Sequence, residues 1–99
     1  MILKEYRIDM YHWDDNKSQQ NQGKHGISFE EARDSIFEGK NVLVGGVAYD
    51  KGEPRHAVIG LHKGRYYVGI FTVTPQGIRI ISVRRARDEE EKQAREKGI

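Results

Sequence analysis

The sequence predicts an α+β fold: a small, mainly antiparallel β-sheet with helices packed on one face and a further helix at the C-terminus. Three observations carry this. Residues 41–86 read as a meander, in which strand signals are separated by turn clusters at Asp50-Lys51-Gly52, His62-Lys63-Gly64 and Pro75-Gln76-Gly77. Connections this short join antiparallel neighbours. Ahead of the meander, Ser28-Phe29-Glu30-Glu31 has capping-box spacing and opens an apolar stripe of Phe29, Ala32, Ile36 and Phe37, the pattern of a helix lying on a sheet. Behind it, Asp88-Glu89-Glu90-Glu91 places negative charge where it suits the positive end of a helix dipole.

In chain order, residues 6–13 alternate loosely, with Ile8, Met10 and His12 on one face, and predict a first strand ending at the helix-start cluster Asp14-Asp15-Asn16. Residues 15–22 are almost all polar and predict a short exposed helix or ordered loop. Gly23 and Gly26 permit left-handed backbone, so this element is expected to stop there and present Lys24 and His25 at its end. The second helix starts at Ser28, with Ile27 stapled onto Ala32, and ends at Gly39. Strands are expected over 41–49, interrupted at Gly45-Gly46, then over 55–61, 65–74 and 78–86. The last of these is rich in β-branched residues and reads as an inner strand. Strict alternation places Ile78, Ile80, Ser82 and Arg84 on one of its faces and Arg79, Ile81, Val83 and Arg85 on the other. The C-terminal helix offers Ala94 as its one core-type residue, so it is expected to be solvated, frayed or completed by a partner. Asp88 and Glu91 have capping-box spacing at its start.

Ninety-nine residues, 36% hydrophobic and 32% charged, make one domain spanning 1–99, with a charged helix or tail over 88–99. The absence of cysteine excludes disulfides, thiolate metal sites and cysteine nucleophiles. Residues 1–5 are too short and too soon charged for a signal peptide, and no apolar run approaches membrane-spanning length, so a cytoplasmic protein without a membrane role is expected. The formal charge of +2 hides an asymmetry: the balance is −3 over residues 1–50, +7 over 51–87 and −2 over 88–99. A basic sheet between acidic flanks attracts polyanions, nucleic acid first among them, although an acidic protein would be drawn to the same face.

Candidate site residues follow from this charge. Arg79, Arg84 and Arg85 lie along one strand with Arg55 on a neighbour, and guanidinium forks suit phosphate oxygens. The alternative is that the arginines pair with the acids that follow them. His25 is the best proton-transfer candidate, because imidazole titrates near neutrality, with Lys24 beside it as a phosphate contact; the bland alternatives are a helix-end histidine and a surface lysine. Alternation sends His56 to the opposite face from Arg55, and the interval from His56 to His62 contains no carboxylate to complete a zinc site. Glu53, the lone acid of the basic segment, is either a base or an orienting group for an arginine. Trp13, Tyr66 and Tyr67 could stack bases, though core roles are commoner. No cofactor fingerprint is present.

Trp13-Asp14, Lys17, Asn21, Lys24-His25-Gly26-Ile27-Ser28-Phe29-Glu30-Glu31-Ala32, Phe37, Gly52-Glu53-x-Arg55, Gly60, Phe71-Thr72 and Ile78-Arg79-Ile80-Ile81-Ser82-Val83-Arg84-Arg85-Ala86, taken together and in order, resemble the BrnT family of toxins over residues 8–91. The resemblance implies a RelE-like fold and an RNA-cleaving toxin of a type II toxin–antitoxin system. It also implies a BrnA-type antitoxin with a ribbon-helix-helix DNA-binding part, operator DNA being bound only through the toxin–antitoxin complex. The sparse apolar content of the last helix departs from the family pattern. RNA cleavage without a metal proceeds by attack of a ribose 2′-hydroxyl on the adjacent phosphate, and needs a base, an acid and cations for the non-bridging oxygens. Arg55, Arg79, Arg84 and Arg85 are the expected cations and His25 the expected proton carrier. A non-catalytic module that binds nucleic acid or antitoxin through the same face is the competing reading.

Overall fold

The structure, a computed structural model, describes residues 6–99; residues 1–5, read above for a leader, lie outside the described residues. A 3₁₀ turn, Ile8–Met10, leads into a short strand β1 (Tyr11–His12) and helix α1 (Asp15–His25). Helix α2 (Phe29–Ala32) continues as a π-helical turn over Arg33–Phe37. Strands β2 (Asn41–Leu43), β3 (Ala48–Asp50), β4 (Glu53–His62), β5 (Arg65–Thr74) and β6 (Gly77–Arg85) precede helix α3 (Asp88–Glu96). The sheet runs β1-β6-β5-β4-β2, with β3 also paired to β4. Among the described residues every strand pairing is antiparallel except β1 with β6.

The capping box expected at Ser28 is present: Ser28 Oγ accepts from Glu31 N at 3.1 Å and Glu31 Oε1 accepts from Ser28 N at 3.0 Å. The predicted stripe is buried, with Phe29, Ala32, Ile36 and Phe37 at most 2% exposed. It packs with Ile27 on one sheet face against Val58, Tyr67, Phe71, Ile78, Ile80 and Val83. Both predicted turns at Lys51-Gly52 and Lys63-Gly64 hold positive φ at both residues, the backbone of tight two-residue hairpins.

Four expectations need correction. Residues 6–13 are a 3₁₀ turn and a two-residue strand rather than one long strand. Helix α1 runs through Gly23 and stops at Gly26, whose φ of 74° supplies the left-handed cap. The helix α3 start differs by one residue: Glu90 Oε1 accepts from Arg87 N at 2.8 Å. That helix is also docked, not solvated. Ala94 is fully buried with Val44, Ile59 and Val68 on the second sheet face, Ile99 packs on the same cluster, and Tyr66 donates to Ile99 O at 2.7 Å. A single alanine suffices because its small side chain lets helix and sheet approach closely.

β6 is only partly an inner strand. β1 pairs with it at Ile78 and Arg79 alone, and α1 covers its outer edge beyond. Asn21 does this: its Oδ1 accepts from Val83 N at 3.1 Å and its Nδ2 donates to Ile27 O at 2.9 Å. Asn21 is 6% exposed, so its loss strands a donor and an acceptor in the interior. Asn21→Leu is expected to cost about 2–4 kcal/mol, read as a lower midpoint in urea at unchanged slope.

Candidate functional site

The second face of the sheet is divided. Helix α3 and Val44 cover the half built from Ile59, Val68 and their neighbours, while the other half carries polar side chains. A break in alternation makes this half. Ile70 pairs with Ser82 but Phe71 pairs with Ile80, which leaves Ile81 as the extra residue of a bulge. Paired residues share a face, so Arg79, opposite Thr72, and Arg84, opposite Val68, lie on this second face. Arg85, opposite Tyr67, lies with Ile78 and Ile80 on the first. The strict alternation expected above fails at Ile81.

The tight turn at Lys51-Gly52 places Asp50 and Glu53 opposite one another. Their carboxylates meet two arginines. Glu53 Oε1 accepts from Arg79 Nη2 at 2.6 Å and lies 3.6 Å from Arg55 Nε, while Asp50 Oδ2 lies 3.0 Å from Arg55 Nη2. The 3.6 Å approach is an ion-pair contact too long for a hydrogen bond, and Arg55 Nε is a buried donor with no hydrogen-bond partner among the described residues. A cleft of about 210 Å³ is lined by Asp14, Lys17, Arg55, Arg79, Ile80 and Ile81. A wider groove of about 650 Å³ adjoins it at Lys17 and Ile81 and carries Gln20, Lys24, His25 and Ser82 between α1 and the edge of β6. The bulge residue therefore sits where the two meet.

Of the six residues expected from the sequence, Arg55 and Arg79 come together in the cleft, and Lys24 and His25 line the groove beside it. Arg84 and Arg85 go elsewhere. Arg84 donates to Glu90 from Nη1 at 2.8 Å and Nη2 at 2.9 Å, and Arg85 lies over the Tyr67 ring at 5.6 Å. For Arg84 the alternative of pairing with a following acid describes the geometry. Hydrogen bonding from Arg84 outweighs burial, and the Arg87 N–H adds to it, so the Glu90 carboxyl falls to about 2 from an ordinary 4.5. A depressed folded value means that this stabilisation is complete above pH 4.5 and is lost as pH falls towards about 2. Arg84→Gln is expected to flatten that acid limb by up to about 3 kcal/mol, measured as urea stability against pH.

The remaining polar candidates are placed as follows. His56 stacks on Phe71 at 5.4 Å on the first face, as alternation from Arg55 requires. His62 closes β4 rather than sitting in the turn, and its Nδ1 lies 2.9 Å from Ser35 Oγ. Tyr67 is buried, Tyr66 lies under Arg95 at 5.2 Å, and Trp13 packs on the core with Arg33 over its ring at 5.6 Å. Among the described residues no group of three or more His, Cys, Asp or Glu is placed to hold a metal ion, and no helix is long and apolar enough to cross a membrane.

A polar neighbour of Arg79 escaped the sequence reading. His12 pairs in parallel register with Arg79 and so shares its face, and its Nε2 lies 2.9 Å from Thr74 Oγ1. Gly77 makes room for this approach: it holds φ of 128°, and a Cβ there would collide with Met10 O. The signal in the sequence is Gly77 at the start of β6; nothing local reveals a parallel pairing between residues as distant as Tyr11 and Ile78.

None of the curated proteins compared matches the chain. The family model described as "Ribonuclease toxin, BrnT, of type II toxin-antitoxin system" matches residues 13–90, which include α1, the π turn, the whole meander and the start of α3. Both clefts are lined entirely from within that span. The chain belongs to the BrnT family of ribonuclease toxins of type II toxin–antitoxin systems.

Proposed function

We propose that this chain is a metal-independent endoribonuclease of RelE-like architecture, which cuts RNA by attack of a ribose 2′-hydroxyl on the adjacent phosphate, and that a BrnA-type ribbon-helix-helix antitoxin neutralises it. The supporting observation is the cluster of Arg55 and Arg79 around Glu53, with the buried Arg55 Nε left without a hydrogen bond at the cleft. A phosphate entering there meets two partly exposed guanidiniums whose charge is fixed. Lys17, Lys24 and His25 then contact the flanking backbone along the adjoining groove. Arg84, held by Glu90, and Arg85, on the opposite face, serve the fold or more distant phosphates.

The test is incubation of the purified chain with a defined RNA in EDTA, followed by identification of the new 3′ ends. A 2′,3′-cyclic phosphate, or the 3′-phosphate derived from it, is expected. No cleavage of free RNA or of message on translating ribosomes, with salt-sensitive binding intact, would leave a binding module instead.

A further inference from the structure

We infer that Glu53 and His12, the neighbours of Arg79 through its ion pair and its ladder pairing, are the proton-transfer pair of the site, Glu53 the base at the 2′-hydroxyl and His12 the acid at the leaving 5′-oxygen; this rests on the ribonuclease reading above. The histidines can be sorted by position. His56 stacks on Phe71 and His62 meets Ser35, both on the first sheet face, and His25 lines the wider groove with Lys24. His12 alone shares face and row with Arg79.

The proton positions fit these roles. The Thr74 hydroxyl lies 3.3 Å from Gly77 O and 2.9 Å from His12 Nε2, so when it donates to the carbonyl it is an acceptor for an N–H at His12 Nε2. Both arginine contacts of Glu53 fall on Oε1, which leaves Oε2 to take a proton. Along β5, Arg79 lies opposite Thr72 while His12 reaches Thr74. In the strand order, Arg79 on β6 lies between His12 on β1 and Glu53 on β4, which sets an acid and a base on either side of the guanidinium that would hold the phosphate.

The step balances. The 2′-hydroxyl proton passes to Glu53 Oε2 as O2′ bonds to phosphorus, the P–O5′ bond breaks, and protonated His12 delivers its Nε2 proton to O5′. The products are a 2′,3′-cyclic phosphate and a 5′-hydroxyl. Arg79 and Arg55 hold the charge on the non-bridging oxygens.

The test compares the full chain with Glu53→Gln and His12→Gln on an RNA whose scissile linkage carries either the natural 5′-oxygen or a bridging 5′-sulfur. Each variant is expected to lose roughly 10²–10⁴-fold in kcat on the oxygen substrate, at unchanged RNA affinity. A thiolate leaves without protonation, so the sulfur substrate should restore His12→Gln but not Glu53→Gln, and the alkaline limb of the pH–rate profile should vanish in His12→Gln alone. Rescue in the same protein sample separates a chemical role from a folding defect. Variants that keep the wild-type rate, or a His12→Gln defect that sulfur does not relieve, would overturn the assignment while the ribonuclease reading stands. A wild-type chain that cuts neither free RNA nor ribosome-bound message would end both.

Discussion

Arg79→Ala is expected to lower the rate of RNA cleavage by about 10²–10³-fold, the loss that follows removal of one preorganised donor to a developing oxyanion. The fold should hardly register the change. Its pair with Glu53 has a 2.6 Å contact but side chains 40% and 35% exposed, and solvent-accessible pairs of this kind contribute about 0–1 kcal/mol. Arg79 is also placed by β-pairing on both sides, through Thr72 and His12, so its neighbours stay where they are when the side chain is cut back. Arg79→Lys should recover little, because an ammonium cannot span two oxygens as a guanidinium does. The comparison needs kcat at saturating RNA and urea stability for both variants. A variant equal to wild type in turnover would remove Arg79 from the chemistry.

Phe37→Ala should have the largest effect on stability, about 3–5 kcal/mol. The ring is 2% exposed and meets Tyr11 and Phe71 edge-on at 5.8 and 5.7 Å. It fills a notch that exists because residue 69 lacks a side chain: a Cβ on Gly69 would lie 2.6 Å from Phe37 Cζ. Gly69→Ala is accordingly expected to destabilise by roughly 1–3 kcal/mol through overpacking. In the double variant the new methyl group enters space that the ring has vacated, so the two costs should be less than additive. Urea denaturation of the two single variants and the double variant measures this; strict additivity would show that ring and glycine do not share the notch.

What was legible in the sequence was local. The capping box at Ser28, the apolar stripe through Phe37 and the two hairpin turns at Lys51-Gly52 and Lys63-Gly64 are written in consecutive residues, and each appears where the residues place it. The site was legible in half. Arg55 and Arg79 belong to β4 and β6, the two strands that flank β5 in the meander, so antiparallel pairing alone brings them to one face. An inserted residue, Ile81, sends Arg85 to the other face, and a β-branched apolar residue looks the same inside a regular ladder and inside a bulge; Arg84 keeps the face of Arg79 but is held by Glu90. The docking of α3 turned on Ala94, too small to stand out as a stripe yet fully buried. His12 was the hardest to place, because its position depends on a parallel pairing between a two-residue strand and the start of β6.

The most direct measurement replaces the ribose at the mapped cut site with 2′-deoxyribose and leaves the rest of the RNA unchanged. The mechanism set out here predicts that cleavage at that linkage disappears while binding to the basic clefts persists, since the nucleophile is gone and the phosphate remains. Cleavage at an undiminished rate, yielding a 3′-hydroxyl and a 5′-phosphate, would show that water attacks instead, and would contradict the chemistry assigned to this site.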